Sequence, residues 1–430
     1  MQKAACLVLV ALVLVEGIPT AFAPISARAP HGPTFSVRPA PSHTAPAIAP
    51  RSSATPTGSA ASPLGRTPGL CTVDPLPWCP RFDRSAPQVP SPLADATSSW
   101  KNLSPIPYPA SYPSPRSGAS LAYSPDLHGS LLFGGSATGG LAQDTWLYSG
   151  GNWSELVAPT TCTVTTCPSP RTDAMMTYDL TDHEAVLFGG LNQYGFPAGV
   201  LGDTWAFAGG SWKNITSTVG TAPSPRYDGS MVFDSGDGYV LLFGGANSTG
   251  VPVGQTWKFT AGHWTNLTGS LTQAPEAREG AAIADSPLGW VMLFGGLGVT
   301  SVIQNNYYST GGPYVVWWFH NGSWLPAVTP VAPHAPTGAA GASEYFGPCG
   351  RFDAALAWSP KNDRFVVFGG LGTPGTTYSC ASSIFSFPLN DTYVYTNTLG
   401  SGFTYWYNDT TPGAPSPRSG MGYTSDYSAG

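Results

Sequence analysis

Six arginines recur along the chain, at Arg116, Arg171, Arg226, Arg278, Arg351 and Arg418. Their spacings are 55, 55, 52, 73 and 67 residues. Guanidinium groups gathered by a repeating fold would make a cationic collar for an anionic or sugar ligand. The competing reading is constructional: an arginine present in every repeat pairs with a backbone carbonyl, or with nearby acids such as Asp173, Asp228, Glu279 and Asp353. Tyr307, Tyr308, Tyr345 and Tyr378 are aromatic faces that could stack on sugars or pack among themselves, as are Tyr194, Phe196 and Phe346. These tyrosines and the six arginines are the candidate ligand-binding residues. No catalytic residue, metal or cofactor is assigned. His128, His183, His263, His320 and His334 are scattered over different repeats, which argues against a multi-histidine metal centre. Asp234-Ser235-Gly236-Asp237-Gly238 is far shorter than a calcium-binding EF-hand loop and reads as a plain turn.

Redox chemistry is suggested only by cysteine. Cys6 falls in an N-terminal apolar stretch, and six cysteines follow as near neighbours: Cys71/Cys79, Cys162/Cys167 and Cys349/Cys380. An even number in an exported chain points to disulfides, and no CxxC pair suggests a metal. Export is inferred from residues 1–23: Lys3, an uncharged run over residues 4–15, and Ala21-Phe22-Ala23 as a small-x-small cleavage site. Residues 24–94 are rich in Pro, Ala, Ser and Thr and read as a disordered stalk. Eight Asn-x-Ser/Thr triplets, at Asn102, Asn152, Asn214, Asn247, Asn266, Asn321, Asn390 and Asn408, make a glycosylated surface plausible. A net charge of −6 gives no basic footprint for nucleic acid, and beyond the signal no stretch is suited to membrane insertion.

The elements that must position these residues follow from composition. The 430 residues include 52 Gly and 44 Pro, and only 10% are charged. Long helices with charged faces are therefore excluded, as are coiled coils. Aromatics at 12% argue against disorder throughout. Four short apolar runs separated by turn residues fill each period. In the first period they are strand A near residues 119–123, strand B near 130–133, strand C near 145–148 and strand D near 152–156. Gly150-Gly151 suits a tight C–D hairpin. Each strand B ends in Phe-Gly-Gly, at residues 133–135, 188–190, 243–245, 294–296 and 368–370. The absence of side chains there would let backbones approach where neighbouring units meet. Asp-Thr-Trp opens strand C at residues 144–146 and 203–205, and a Trp lies in strand D at Trp153, Trp212, Trp264, Trp324 and Trp406.

This order resembles the kelch repeat, over residues from about Trp100 onward. The resemblance implies an all-β fold, a β-propeller of four-stranded antiparallel blades over residues 95–430. Five repeats are near-complete. A lone strand D at Trp100 and a lone strand A after Arg418 imply a shared sixth blade, and its missing B and C strands suggest that the chain is C-terminally incomplete. The Pro-Arg and Asp-Thr-Trp variants look like those of prokaryotic kelch proteins and of galactose oxidase-like propellers. Strand A is innermost in a kelch blade, so the arginines should ring the central channel. In such a meander A–B and C–D turns share one face, while the longer B–C and D–A loops share the other. The expectation is a secreted or surface-tethered, non-enzymatic propeller that binds a glycan or a cell-surface protein through the long-loop face. An oxidase needs copper held by His and Tyr, which this histidine pattern does not offer. Ser124-Pro125-Asp126-Leu127-His128-Gly129 echoes the sialidase Asp box, with one residue too many before the Gly. A structural envelope component is the third alternative.

Overall fold

The computed structural model describes Trp100 and residues 112–193, 198–299, 316–327, 348, 350–360, 363–372, 375–376, 379–380, 387–397, 404–410 and 414–425. All of them belong to one unit. The proposed signal and stalk, with Cys71, Cys79, Cys349, Tyr307, Tyr308, Tyr345 and Tyr378, lie outside the described residues, and Cys380 is described only in its backbone.

Among the described residues there are five four-stranded antiparallel meanders. In blade one the strands are Ser120–Ser124, Gly129–Phe133, Thr145–Ser149 and Asn152–Val157. In blade two they are Met175–Asp179, Glu184–Leu191, Val200–Ala208 and Ser211–Asn214. Blade three has Ser230–Asp234, Tyr239–Phe243, Thr256–Thr260 and His263–Asn266. Blade four has Ala282–Ser286, Trp290–Phe294, Val316–His320 and Ser323–Pro326. Blade five has Ala355–Ser359, Arg364–Phe368, Thr392–Asn397 and Thr404–Asn408. Strand order within each sheet follows the chain, so every connection inside a blade is a simple reversal. The C–D reversals are two-residue hairpins with both residues left-handed: Gly150-Gly151, Gly209-Gly210, Ala261-Gly262 and Asn321-Gly322. The A–B turns are tied by their last strand residue. Asp234 Oδ1 accepts from the Gly236 and Asp237 amides, and Asp179 Oδ1 from those of Thr181 and Asp182. The Asp234 loop is thus an ordinary Asx turn.

Blades meet through a repeated contact. The strand-D Trp of one blade reaches back to the previous blade. There its indole donates to the Thr that opens strand C, and its ring packs on the Phe of Phe-Gly-Gly. Trp212 bonds Thr145 (2.9 Å) and meets Phe133 (5.2 Å between centroids). Trp264 bonds Thr204 (3.1 Å) and meets Phe188 (5.4 Å). Trp324 bonds Thr256 (3.0 Å) and meets Phe243 (5.3 Å). Trp406 meets Phe294 (5.5 Å). Each such pair contributes about 1 kcal/mol beyond area burial, and each indole bond a similar amount. The core is accordingly a set of inter-blade seams rather than one central cluster.

The Phe-Gly-Gly requirement is steric. A Cβ on Gly134 would lie 2.7 Å from the Arg171 carbonyl of the next blade, and one on Gly244 2.5 Å from the Arg278 carbonyl. Gly189, Gly295 and Gly369 face Arg226, Arg351 and Arg418 in the same way. Three glycosylation triplets also have a role in the fold. Asn214, Asn266 and Asn408 accept from the amides of Thr216, Thr268 and Thr410. Those hydroxyls in turn accept from the amides of Thr204, Thr256 and Thr392. These triplets recur because they tie strand D to strand C.

Gly295→Ala and Gly209→Ala separate crowding from backbone conformation. Both residues have positive φ, but nothing lies within 4 Å of a Cβ on Gly209. Both variants incur roughly 1–2 kcal/mol for a left-handed alanine. Gly295→Ala adds about 1–3 kcal/mol of overpacking against Arg351. Chemical denaturation should rank Gly295→Ala clearly below Gly209→Ala, and equal losses would remove the steric account.

Candidate functional site

The innermost strands surround an axial channel of about 560 Å³. Its wall carries Leu121, Met176, Met231, Ile283 and Leu356, and none of the six arginines lines it. This corrects the expected cationic collar. Arg171, Arg226, Arg278 and Arg351 are 0–2% exposed, and their guanidinium groups point into their own blades. A charge so placed must be satisfied locally, and it is. Arg171 donates to the Gly189 carbonyl (2.9 Å) and to both carboxylate oxygens of Asp203 (2.6 and 2.8 Å). Its Nε and remaining amino group bond Ser169 (3.0 Å each). Arg116 does the same with Gly134 and Asp144, and Arg351 with Gly369 and Asp391. Arg226 bonds Gly244 and uses Gln255 in place of the acid. Arg278 bonds Gly295 and Glu276. Arg418 bonds Ser416.

This arrangement accounts for the whole Asp-Thr-Trp motif. The Asp accepts from the arginine and from the indole of the following Trp, as in Asp144 with Trp146 (2.7 Å) and Asp203 with Trp205 (2.7 Å). The arginine beside Asp144 and Asp203 holds both carboxyls below the usual carboxylate range, although burial opposes this. The Thr accepts the indole from the next blade. The Gly carbonyl lies at the start of the B–C loop, and the Asp lies at its end. Arg116, Arg171, Arg226 and Arg351 therefore each clamp the base of a long loop from both sides. Carbonyl pairing was expected of these arginines, but the acids differ from the expected Asp173, Asp228, Glu279 and Asp353.

Three of those acids, Asp173, Asp228 and Asp353, belong to a separate feature. The third residue of each Arg-x-(Gly/Asp) triplet has left-handed φ: Gly118, Asp173, Asp228, Gly280, Asp353 and Gly420. Their backbones hydrogen-bond in a closed circle. Gly118 donates to Gly420, Asp173 to Gly118, Asp228 to Asp173, Gly280 to Asp228, Asp353 to Gly280 and Gly420 to Asp353, at 2.8–3.2 Å. The carboxyls of Asp228 and Asp353 meet over Gly280 and share a hydrogen bond. Burial pushes Asp173 up to about 6. Burial, with the neighbouring negative charges, pushes Asp353 up to about 7 and Asp228 well above its ordinary value. The long-loop end of the channel is thus an acidic ring. Tyr423 crosses toward it, its hydroxyl accepting from the Ile283 amide (3.0 Å). The ring had a sequence signal that the expectation missed: every repeat has Gly or Asp two residues after its arginine, and those residue types tolerate left-handed φ.

On the long-loop face Cys162 and Cys167 are joined, closing a loop between blades one and two. The opposite face carries His183, which contacts Asp126 at 3.0 Å, while Asp126 accepts from Tyr178 (2.7 Å). His320 is bound to the Gly289 carbonyl and stacked on Trp290. Among the described residues no three His, Cys, Asp or Glu side chains form a group that could hold a metal ion.

Residues 93–296 match the KLHDC2/KLHL20/DRC7 Kelch-repeats domain family. The matched stretch runs through blades one to three and ends at the Phe-Gly-Gly of blade four. No curated protein matches the chain.

Two outcomes check this description. Arg171→Met leaves the Asp203 carboxylate without its partner and should cost about 3 kcal/mol, the low end for a broken buried pair, because Asp203 keeps 24% of its side chain exposed. The double variant Arg171→Met/Asp203→Leu should recover most of that loss. Additive losses in thermal unfolding would contradict the clamp. The ring acids set a pH dependence. A carboxyl whose folded pKa is raised contributes stability that is complete below its unfolded pKa and lost as pH rises through the folded one. With Asp173 at about 6 and Asp353 at about 7, Tm should fall between about pH 4 and pH 7. Asp228→Asn should flatten that slope. An unchanged slope would place the titration elsewhere.

Proposed function

We propose that this kelch-repeat propeller is a binding module, engaging a protein partner through B–C and D–A loops whose bases its buried arginines hold. Kelch-repeat domains are protein-binding and generally non-enzymatic. The observation that carries the reading is the clamp. It ties the two ends of a B–C loop to one side chain in blades one, two, three and five. A constant anchor beneath loops of differing sequence and length is what a binding surface needs, since rigid scaffolds commonly carry recognition on their loops. The Cys162–Cys167 bridge stiffens a D–A loop on the same face.

The finer reading is of an exported module acting at a cell surface. Residues 1–23 and the disulfide support an oxidising compartment. A protein is the favoured ligand over a charged glycan, because the arginines that would have bound sugar carboxylates are engaged inside the blades. The aromatic candidates Tyr307, Tyr308, Tyr345 and Tyr378 belong to the same loops by sequence. Recognition through them would be largely apolar.

Protein and glycan arrays probed with the whole chain test this. Binding should be to protein. It should be lost when residues 192–199 are replaced by a Gly/Ser loop, and kept with Asp126→Ala or His128→Ala on the opposite face. Binding confined to glycans, or abolished from the A–B turn side alone, would overturn the assignment.

A further inference from the structure

The axial channel joins an apolar wall to an acidic end that the protein does not neutralise. Its volume, about 560 Å³, falls within the roughly 300–1,000 Å³ of small-molecule sites. The residues five positions after each arginine line it at equivalent places: Leu121, Met176, Met231, Ile283, Leu356 and Tyr423. The first five are aliphatic or thioether side chains. Tyr423 reaches across to blade four, where its hydroxyl accepts from the Ile283 amide. The proton of that hydroxyl has no acceptor among the described residues.

At the long-loop end Asp173, Asp228 and Asp353 line the same channel. Glu279 adds its charge to theirs, and its Oε2 is buried without a hydrogen-bond partner among the described residues. No ion pair among the described residues involves any of these four acids. The buried arginines that could have neutralised them are turned into the blades. Burial and mutual repulsion therefore make Asp228 and Asp353 hold protons. A cation brought among the carboxyls removes the repulsion and displaces those protons.

We infer that the channel is a binding site for an aliphatic primary amine. Its ammonium group lies among the carboxyls of Asp173, Asp228 and Asp353, and its alkyl stem lies on the wall of Leu121, Met176, Met231, Ile283 and Leu356. Charge complementarity selects the head, and removal of apolar surface from water selects the stem. The titratable groups around Asp228 and Asp353 are Asp173, Glu279, Tyr227 and Tyr423. Burial raises both tyrosines, so they stay neutral and the carboxyls alone exchange protons with the ligand. This site lies in the channel and not on the B–C and D–A loops, so its failure and that of the protein-binding reading are separate results.

The test is calorimetric titration of the whole 430-residue chain with n-hexylamine. One amine should bind per chain, with a heat that varies with the buffer's ionisation enthalpy because protons are released. Affinity should be at least about tenfold higher at pH 8 than at pH 5. It should climb about fourfold per methylene from propylamine to hexylamine. n-Hexanol has the same stem without the charge and should bind at least about tenfold more weakly. Asp228→Asn/Asp353→Asn keeps residue types that tolerate left-handed φ, so the double variant should fold, as its thermal unfolding will show, yet bind hexylamine at least about tenfold more weakly. Absence of binding, equal binding of hexanol, or unchanged binding by the double variant would overturn the proposal. Nα-acetyl-lysine amide binding as tightly as hexylamine would also overturn it, giving the ring to a lysine side chain of a partner. Tighter one-to-one binding of Ca²⁺ would overturn it in favour of a metal ion.

Discussion

Six backbone hydrogen bonds around the axis set the geometry that everything else obeys. Each links the left-handed residue of one inner strand to that of the next. A closed circle cannot gain or lose a member without moving all the others. It therefore fixes the number of seats and the place where each inner strand begins. The arginine two residues earlier is consequently delivered to the same point in every blade. From there, in blades one, two, three and five, its guanidinium reaches the Gly carbonyl after strand B and the acid or amide before strand C.

The circle also explains the unusual electrostatics. Left-handed φ favours Gly, and among other residues Asp and Asn. Choosing Asp at three of six positions crowds carboxyls around the axis and raises their proton affinities. The arginines could have neutralised them but are directed away, into the blades. The protein thus separates its buried cations from its axial acids, Arg116, Arg171 and Arg351 each being neutralised by the acid at the end of its own B–C loop. Opposed pKa directions result: Asp144 and Asp203 are lowered, while Asp173, Asp228 and Asp353 are raised.

Much of the fold was legible in the sequence, because its strand and turn signals are local and periodic. Strand positions in blade one lie within a residue of expectation, and Gly150-Gly151 forms its hairpin as read. Phe-Gly-Gly was correctly read as a place of close approach. The arginines were harder. Recurrence shows that a residue matters to each blade but not which way its side chain turns. Both a collar and a clamp satisfy the same spacing. Only the geometry, with Asp203 beside Arg171 and not Asp173, decides between them. The acidic ring was missed although Gly or Asp stands two residues after each arginine, because the backbone bonds that join these residues link different repeats, up to Gly118 with Gly420. The glycosylation triplets carried a similar ambiguity, since the Asn and Thr of a strand tie spell the same three letters.

The circle closes through Gly420, making six seats, of which five hold four-stranded blades among the described residues. Residue-resolved amide hydrogen exchange tests it most directly. The amides of Gly118, Asp173, Asp228, Gly280, Asp353 and Gly420 should exchange slowly and with similar protection, because each is held in the same circle. Fast exchange at Gly420 and Gly118, with the other four still protected, would show an open ring and contradict the account.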